Sequence, residues 1–281
     1  MIEIYPILYQ CKKVLLLTFL FTLIVCSVSV YYMDDYYTSK STFFVSNPNI
    51  TERLNLYKTE ATEGEIHYFG NDEEIDRTLS IAQSALVIQY ISDKYNLKKH
   101  YGIDTTKSFF RSKTEKKIKA NYQVQKTTMG AIEVRFEDKD PELAAQIVND
   151  IVDKIDKIKR NLLISTKSEL AEFFRQQLKD KQLSINVLRD SITNSSAQNS
   201  THKHLLESQY TLSITEFNDI SKLYHQYQGT AQLKTSSIFL LEEATPSERK
   251  SRPFRTLIVL GCTFLSLFLM SLFLILRHRT N

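Results

Sequence analysis

Two long uncharged apolar segments, one near each end of the chain, constrain the fold more than any other feature of the sequence. Residues 14–32 and 256–276 contain no Asp, Glu, Lys or Arg. A helix rises about 1.5 Å per residue, so roughly 20 apolar residues cross the hydrocarbon layer of a membrane. Both segments reach that length, and the sequence between them is too polar to span. The sequence therefore predicts a two-pass membrane protein with one large domain between the spans.

The first apolar segment has one competing interpretation, a cleavable signal peptide, because Lys12 and Lys13 precede it. However, its apolar run is longer than the roughly 7–15 residues of a signal-peptide core. It also ends in the bulky residues Tyr31, Tyr32 and Met33, whereas a cleavage site requires small residues. Tyrosines at this position are typical of the aromatic belt at a membrane surface. We therefore interpret the segment as an anchor.

Basic residues at the outer ends of the two spans predict their orientation. Lys12 and Lys13 precede the first span, and Arg277 and Arg279 follow the second. The positive-inside tendency places both termini in the cytoplasm, so the large domain is expected to face outward, into a periplasm or an equivalent space. A loop of more than about 200 residues translocates largely regardless of its charge. For that reason four basic residues just before the second span carry less weight: Arg249, Lys250, Arg252 and Arg255.

The sequence between the spans predicts an α+β fold, with a mixed α/β base and a long helical-hairpin, coiled-coil-like arm. Strands are predicted at 39–46, 121–127, 131–137 and 237–242, and helices at 72–79 and 84–97. The predicted division of the chain is a cytoplasmic segment 1–13, first span 14–32, membrane-proximal base 33–140, arm and return helix 141–229, returning strand and Pro-containing linker 230–255, second span 256–276, and cytoplasmic tail 277–281.

The arm is predicted from apolar residues spaced three and four apart, as in a coiled-coil seam. Residues 142–193 contain no Gly or Pro, so a continuous helix there would reach about 78 Å. A polar loop at 194–200 and a shorter return helix ending at Gly229 follow, so the lower part of the long helix should pack on the base. The predicted outgoing seam is Ala144, Val148, Ile151, Ile155, Ile158, Leu162, Leu170, Phe174, Leu178, Ile185, Leu188 and Ile192. The predicted return seam is Leu206, Tyr210, Ser213, Phe217, Ile220, Tyr224 and Tyr227.

The sequence contains no pattern typical of catalysis, and we expect no enzyme, cofactor or metal site. Phosphate-binding and hydrolase motifs are absent, and a chain with six Gly residues has little material for a phosphate-binding loop. His202 and His204 are interpreted as residues of a solvated loop. Asp138 and Asp140 are interpreted as a helix cap, because a glycosidase pair needs sugar-stacking aromatics and the chain has no Trp. The net charge of +4, from 36 basic and 32 acidic residues, is too balanced for a nucleic-acid partner.

Cysteine placement predicts how the large domain is stabilised. Cys26 and Cys262 lie in the spans and Cys11 just before the first, so the domain between them has no cysteine. An exported domain without disulfides depends on packing or on association with other chains. We therefore predict a homo-oligomeric ring.

Short motifs spread along the chain carry a resemblance to a known family. They are residues 4–8 before the first span, 37–45 (YTSKSTFFV), 132–136 (IEVRF) followed by 140–149 (DPELAAQIVN), and 243–253 leading into a span that contains Gly261. In order and spacing they resemble the polysaccharide co-polymerase family, the Wzz-type chain-length determinants. The resemblance implies that Asp140, Pro141 and Asn149 set the base of the arm. It also implies that Pro246, Pro253 and Gly261 shape the second anchor.

The same resemblance implies a function and partners. The expected function is to regulate the chain length of O-antigen, capsule or exopolysaccharide. The expected partners are copies of the chain in a ring, a membrane polysaccharide polymerase and a lipid-linked glycan. No kinase is expected within the chain, but the sequence leaves open a separate tyrosine kinase or an outer-membrane export channel. Two alternatives also stay open: an export subunit that docks such a channel through residues 194–204, and a membrane-tethered ligand-binding sensor.

Overall fold

A computed structural model describes residues 12–47, 69–106, 108–194, 200–232 and 236–280. The resemblance segment at 4–8 and most of the predicted polar loop, residues 195–199, lie outside the described residues. In chain order the described elements are α1 (Lys12–Tyr31), β1 (Tyr37–Val45), α2 (Asp72–Ala82), α3 (Ala85–Lys94), α4 (Leu97–His100), α5 (Phe110–Asn121), β2 (Tyr122–Lys126), β3 (Ile132–Asp138), α6 (Pro141–Asn194), α7 (Ser200–Gln232), β4 (Ile238–Glu242) and α8 (Arg255–Thr280).

The two terminal helices, α1 and α8, have the length and composition of membrane spans. Their apolar segments, Lys12–Tyr31 and Arg255–Arg277, have mean hydropathies of 2.5 and 2.6, and only 6% of each is buried by the rest of the chain. The core helix of a soluble protein would be mostly buried. The two helices pack against each other, and the Ser266 hydroxyl donates a hydrogen bond to Thr22 Oγ1 at 3.1 Å. This arrangement fits a two-pass membrane protein whose other helix faces contact lipid.

The base is built on a four-stranded antiparallel sheet in the order β2-β3-β1-β4. In β3, Ile132, Val134 and Phe136 are fully buried, which confirms the predicted alternation. The opposite face is less exposed than predicted, because Glu133 is only 8% exposed. Its carboxylate pairs with Arg135 at 2.6 Å and accepts a hydrogen bond from Gln125 at 3.0 Å, which compensates its burial.

The lower part of α6 packs on this sheet, as the unequal lengths of the two arm helices predict. Ile147, Ile151 and Ile155 are fully buried in one core with Phe43 and Phe136. Their spacing of four places all three on one face of the helix. Burying each isoleucine contributes on the order of 1.5–3 kcal/mol. The arm is therefore continuous with the core of the base.

Above the base, α6 and α7 form an antiparallel hairpin, which confirms the predicted α+β fold with a helical arm. The Phe174 and Tyr227 rings stack with centroids 5.5 Å apart, and nearer the tip Lys181 forms an ion pair with Glu216. All the predicted seam residues of α7 are buried or half-buried. One predicted seam residue of α6 is wrong: Leu162 is 57% exposed. A straight helix drifts about 20° per heptad relative to a 3.5-residue repeat, which turns this position outward.

Three helical features differ from the sequence prediction. The return helix α7 continues to Gln232 instead of stopping at Gly229, because one helical glycine costs only about 1 kcal/mol. The helix predicted at 84–97 is two helices, α3 and α4, separated at Asn96 with its left-handed φ of 47°. Helix α5 was not predicted from the sequence.

Candidate functional site at the membrane-proximal base

The structure brings three of the six predicted site residues to the base of the arm, near the linker that leads to the second span. Asp140 and Pro141 begin α6, and Asn149 lies about two turns further along the same helix. Pro246 and Pro253 belong to the linker, and Gly261 lies inside α8. The base of the arm and the linker therefore form one region, whereas Gly261 lies apart from it.

The start of α6 is capped by Asp140. Its Oδ1 accepts hydrogen bonds from the backbone N–H groups of Glu142 at 3.0 Å and Leu143 at 3.3 Å. Pro141 occupies the first helical position, where a missing N–H has no effect on the helix. The prediction that Asp138 shares this capping role is wrong in part. Asp138 is the last residue of β3, and it contacts the capping residue Asp140 and not the first turn of α6. Its fully buried carboxylate accepts a hydrogen bond from the backbone N–H of Asp140 at 3.1 Å.

Asn149 attaches the end of the returning strand to α6. Its side-chain amide donates to the backbone carbonyl of Ala244 at 3.0 Å and accepts from the backbone N–H of Ala244 at 2.9 Å. Two serines of β1 also bind the segment around Ala244. Ser41 Oγ donates to the carbonyl of Glu242 at 2.7 Å, and Ser39 Oγ donates to the carbonyl of Thr245 at 3.0 Å.

Asp156 attaches the beginning of the returning strand to the same helix. This residue is 7% exposed, and its Oδ1 accepts from the Ser237 backbone N–H at 2.7 Å, the Ser237 hydroxyl at 2.8 Å and the Ser236 hydroxyl at 3.1 Å. Its other oxygen pairs with Arg160. We call Ser39, Ser41, Asn149 and Asp156 the return-strand clamp. Through this clamp, the segment that enters the second span is fixed to both the arm helix and the sheet.

A second set of contacts joins the two spans directly beneath the sheet, in a region we call the rim (residues 33–38, 136–140 and 249–255). The backbone of Tyr36 exchanges hydrogen bonds with that of Ser251 and Arg252, at 2.8 Å and 2.9 Å. The Arg252 guanidinium lies 4.6 Å from the centroid of the Tyr36 ring, a cation–π contact. It also donates to Asn121 Oδ1 at 2.9 Å and forms an ion pair with Glu137 at 2.6 Å.

Asp35, which follows the first span, pairs with two basic residues that precede the second. Arg255 Nη2 lies 3.0 Å from Asp35 Oδ1 and 3.3 Å from the carbonyl oxygen of Met33, and Lys250 Nζ lies 3.5 Å from the same Asp35 oxygen. With Arg252, three of the four basic residues that complicate the orientation prediction therefore have acidic partners. The exit of one span and the entrance of the other are held at one level.

Among the described residues, no side-chain contact explains the roles predicted for Pro246, Pro253 and Gly261 in the second anchor. The Arg252–Pro253 peptide is cis, and the Pro253 carbonyl accepts a hydrogen bond from the backbone N–H of Arg255 at 2.9 Å. Pro246 is exposed. A Cβ added to Gly261 would meet no atom of the described residues within 4 Å. The roles assigned to Pro246, Pro253 and Gly261 remain predictions.

Burial and the negative charge of Asp138 both raise the pKa of the Tyr101 phenol, with burial the larger effect. The Tyr101 hydroxyl donates to Asp138 Oδ2 at 3.0 Å, and the His100 ring lies 2.8 Å from Oδ1. A phenol whose folded-state pKa lies above its unfolded value of about 10 contributes stability below that pH, and loses it as the pH rises toward the folded-state pKa.

We therefore expect the free energy of unfolding of the full chain to fall more steeply above about pH 10 than that of Tyr101→Phe. The difference in slope is at most about 1.4 kcal/mol per pH unit, since one proton is involved. Denaturant unfolding in detergent between about pH 9 and pH 11 measures it. Tyr210→Phe, on the arm, is the matched control. Equal slopes for wild type and Tyr101→Phe contradict the burial of an un-ionised phenol beside Asp138.

Several residues of this region were missed by the sequence analysis: Tyr36, Ser39, Ser41, Asp156 and Arg252. A weak signal exists for the serines, which alternate with Phe43 and Val45 on the inward face of a strand. Asp156 also follows Asn149 by one heptad on α6, so the two polar residues share one helix face with the buried residues Ala145 and Val152. Polar residues on otherwise apolar faces need hydrogen-bond partners when buried. That requirement points to a second segment but does not identify it.

Potential metal ligands are not clustered in the part of the chain that the structure describes: no three His, Cys, Asp or Glu side chains there are placed to hold an ion. His202 and His204 lie on helix α7, which corrects their assignment to a loop. His204 Nδ1 lies 3.4 Å from a carboxylate oxygen of Glu207, one turn away on the same helix.

The sequence matches no protein-family model, and no curated protein matches it significantly. Three similar solved structures are a full-length bacterial polysaccharide co-polymerase, a fragment of the polysaccharide co-polymerase WzzB from Salmonella Typhimurium, and the wild-type lipopolysaccharide O-antigen chain-length regulator of Shigella flexneri. The first aligns over 100% of this chain and 98% of its own, with a TM-score of 0.47 and 9% identity. The second covers 78% of this chain and 100% of its own (TM-score 0.36, 13% identity). The third covers 76% of this chain and 100% of its own (TM-score 0.32, 10% identity).

Proposed function

We propose that the protein is a two-pass inner-membrane polysaccharide co-polymerase that regulates the chain length of a surface polysaccharide and catalyses no reaction itself. The observation that carries this proposal is the architecture. Helix α1 ends and helix α8 begins at the rim, and both have the character of membrane spans. The base lies next to the rim, and the long helical hairpin extends from the base. The motifs that resemble the Wzz-type family, among them residues 132–136 and 140–149, lie at the junction of base and arm. The function proposed is also the one in the names of the solved structures compared above.

In this proposal the base and arm face the periplasm and both termini are cytoplasmic. Helix α6 has 54 residues, so it spans about 80 Å and extends the chain far from the membrane. Copies of the chain form a ring that scaffolds a membrane polysaccharide polymerase and its lipid-linked glycan. The polysaccharide is O-antigen, capsule or exopolysaccharide. A separate tyrosine kinase or an outer-membrane export channel are further candidate partners.

The predicted site residues receive structural roles in this scheme. Asp140, Pro141 and Asn149 fix the direction in which the arm leaves the base. Pro246 and Pro253 set the path of the linker into the second span. Gly261 lies exposed on α8, and a small residue lets another helix approach closely within a membrane. In the proposed ring or with the polymerase, that helix comes from a different chain.

The length of surface glycans tests this function. The gene is removed from a strain that has no second gene of this kind, and the surface glycans are separated on a gel with and without the gene restored. We expect polymer to form without the gene but to lose its preferred length, and we expect the restored gene to return that length. Complete loss of surface polymer would contradict length control and favour the export subunit. An unchanged ladder would contradict both and favour the ligand-binding sensor.

The ring is tested separately by mass. We expect the full chain, purified in mild detergent, to have a mass several times the 32.7 kDa of one chain. A cysteine-free domain with an elongated arm has limited core of its own, so packing between copies is its main further source of stability. Light scattering combined with size exclusion measures the mass after the detergent contribution is subtracted. A one-chain mass that persists as the protein concentration rises contradicts the ring.

A further inference from the structure

Helix α5 is the most basic element of the base. Its twelve residues, FRSKTEKKIKAN, include Arg111, Lys113, Lys116, Lys117 and Lys119, against one acid, Glu115. Such a helix is unusual beside an otherwise balanced chain, whose net charge is only +4. A concentration of one sign of charge indicates an interaction with the opposite sign.

The exposed lysines of α5 and its buried residues lie on different sides of the helix. Thr114, Ile118 and Asn121 are buried and lie on one side of the helix. With about 100° per residue, Lys113 and Lys116 lie on the other side, and both are exposed. The cationic side of α5 therefore faces away from the core of the base.

Contacts at both ends of α5 place the helix at the level of the rim. At its C-terminal end, Asn121 accepts a hydrogen bond from Arg252, and the ammonium of Lys117 lies 5.8 Å from the centroid of the Tyr36 ring. At its N-terminal end, the Phe110 ring lies 5.9 Å from the ammonium of Lys98, in helix α4. Helix α4 ends at His100, which contacts the rim residue Asp138.

The headgroup layer of a membrane is roughly 5–8 Å thick on each side of the hydrocarbon. Arg252 lies three residues before the first residue of α8, and α8 begins the second span. A helix whose last residue binds Arg252 therefore lies beside the headgroup layer. The side of α5 that faces away from the core can therefore contact the lipid headgroups.

Most cations at the rim already have acidic partners, but those of α5 largely do not. At the rim, Arg252 pairs with Glu137 and Arg255 pairs with Asp35. On α5, Lys119 pairs with Glu115 at 2.7 Å. Within the described ranges, no carboxylate forms an ion pair with Lys113 or Lys116. These ammonium groups are exposed cations next to a membrane surface, where a phosphate is the nearest abundant anion.

We propose that Lys113 and Lys116 on α5 form a binding surface for the phosphate of an anionic lipid headgroup, in the leaflet next to the base. Lysine binds phosphate as a point charge, and each basic residue close to an anionic membrane surface strengthens binding several-fold. The surface holds the base flat on the membrane around the two spans. This inference goes beyond length regulation, since it depends only on the placement of the spans.

Lipid binding by the full chain in mild detergent tests the proposal. Phosphatidylglycerol is titrated into wild type and into the double variant Lys113→Gln/Lys116→Gln, and bound lipid is counted by native mass spectrometry. We expect the double variant to bind phosphatidylglycerol about 10- to 30-fold more weakly, because two charges near the surface are lost. Added salt should weaken wild-type binding, because it screens exposed charges.

The double variant Lys179→Gln/Arg189→Gln removes the same charge from the arm and is the matched control. It should bind phosphatidylglycerol within about twofold of wild type, since the arm projects from the membrane. Any of three results would overturn the proposal. The first is that both double variants weaken lipid binding equally, and the second is that wild type binds zwitterionic phosphatidylcholine as strongly as phosphatidylglycerol. The third is that inorganic phosphate at equal concentration displaces the lipid, which would indicate a site for free phosphate.

Discussion

Phe136→Ala is expected to lower the free energy of unfolding of the base by about 3–5 kcal/mol. The side chain is fully buried in β3, the strand that pairs with both β1 and β2, and it belongs to the core formed with α6. Its removal takes away transfer free energy and leaves a cavity between the sheet and the long helix. Denaturant unfolding of the full chain in detergent measures the change through its helical circular dichroism.

Phe173→Ala is the matched control, because Phe173 lies on the arm and is 56% exposed. The same chemical truncation there should change the free energy of unfolding by less than about 1 kcal/mol. If the two variants lose equal stability, the core of the base does not lie between the sheet and the lower part of α6.

Asp156→Ala is expected to lower the free energy of unfolding by about 2–4 kcal/mol. The substitution removes the acceptor for the Ser237 backbone N–H and for two serine hydroxyls, and it leaves Arg160 without its partner. Ser237 is itself 6% exposed, so water cannot readily replace the lost acceptor. The same denaturant experiment measures the loss. Amide hydrogen exchange should also show faster exchange at residues 236–242, since the start of β4 is no longer attached to α6.

Asp153→Ala, on the exposed side of α6 one turn earlier, controls for the loss of a helical carboxylate. It should leave the exchange of β4 unchanged and alter stability by about 0.5 kcal/mol or less. Protection of β4 that survives in Asp156→Ala would show that the strand is held by its pairing with β1 alone.

The parts of the fold that could be predicted from the sequence are those with a regular apolar period. The seam of α7 and the alternation of β3 repeat over several turns or residues, so their buried faces were identified correctly. Helix α5 was missed because its buried face contains Thr114 and Asn121 and a single large apolar residue, Ile118. A face of that composition has no apolar period, and the helix is held by contacts that only the folded chain provides.

The helix cap at the base of the arm was predictable from the sequence, but the connections around it were not. Asp140 and Pro141 mark a helix start by local chemistry alone, and the structure shows that cap. The bond between Asn149 and Ala244 joins residues 95 positions apart, and that between Tyr36 and Arg252 joins residues from the two ends of the domain. Sequence spacing cannot specify such pairs, because they depend on how the sheet and the arm helix bring the chain ends together.

The central claim is that length regulation depends on the connection between the spans and the base. Its most direct test is the ladder of surface glycans from a strain whose only copy of the gene carries Arg252→Ala, compared with wild type and with Arg189→Ala on the arm. The variant loses the contacts of Arg252 with Tyr36, Glu137 and Asn121. At matched protein levels we expect total polymer to be retained and its preferred length to be lost in Arg252→Ala only. A wild-type ladder from a fully expressed Arg252→Ala protein would contradict the account.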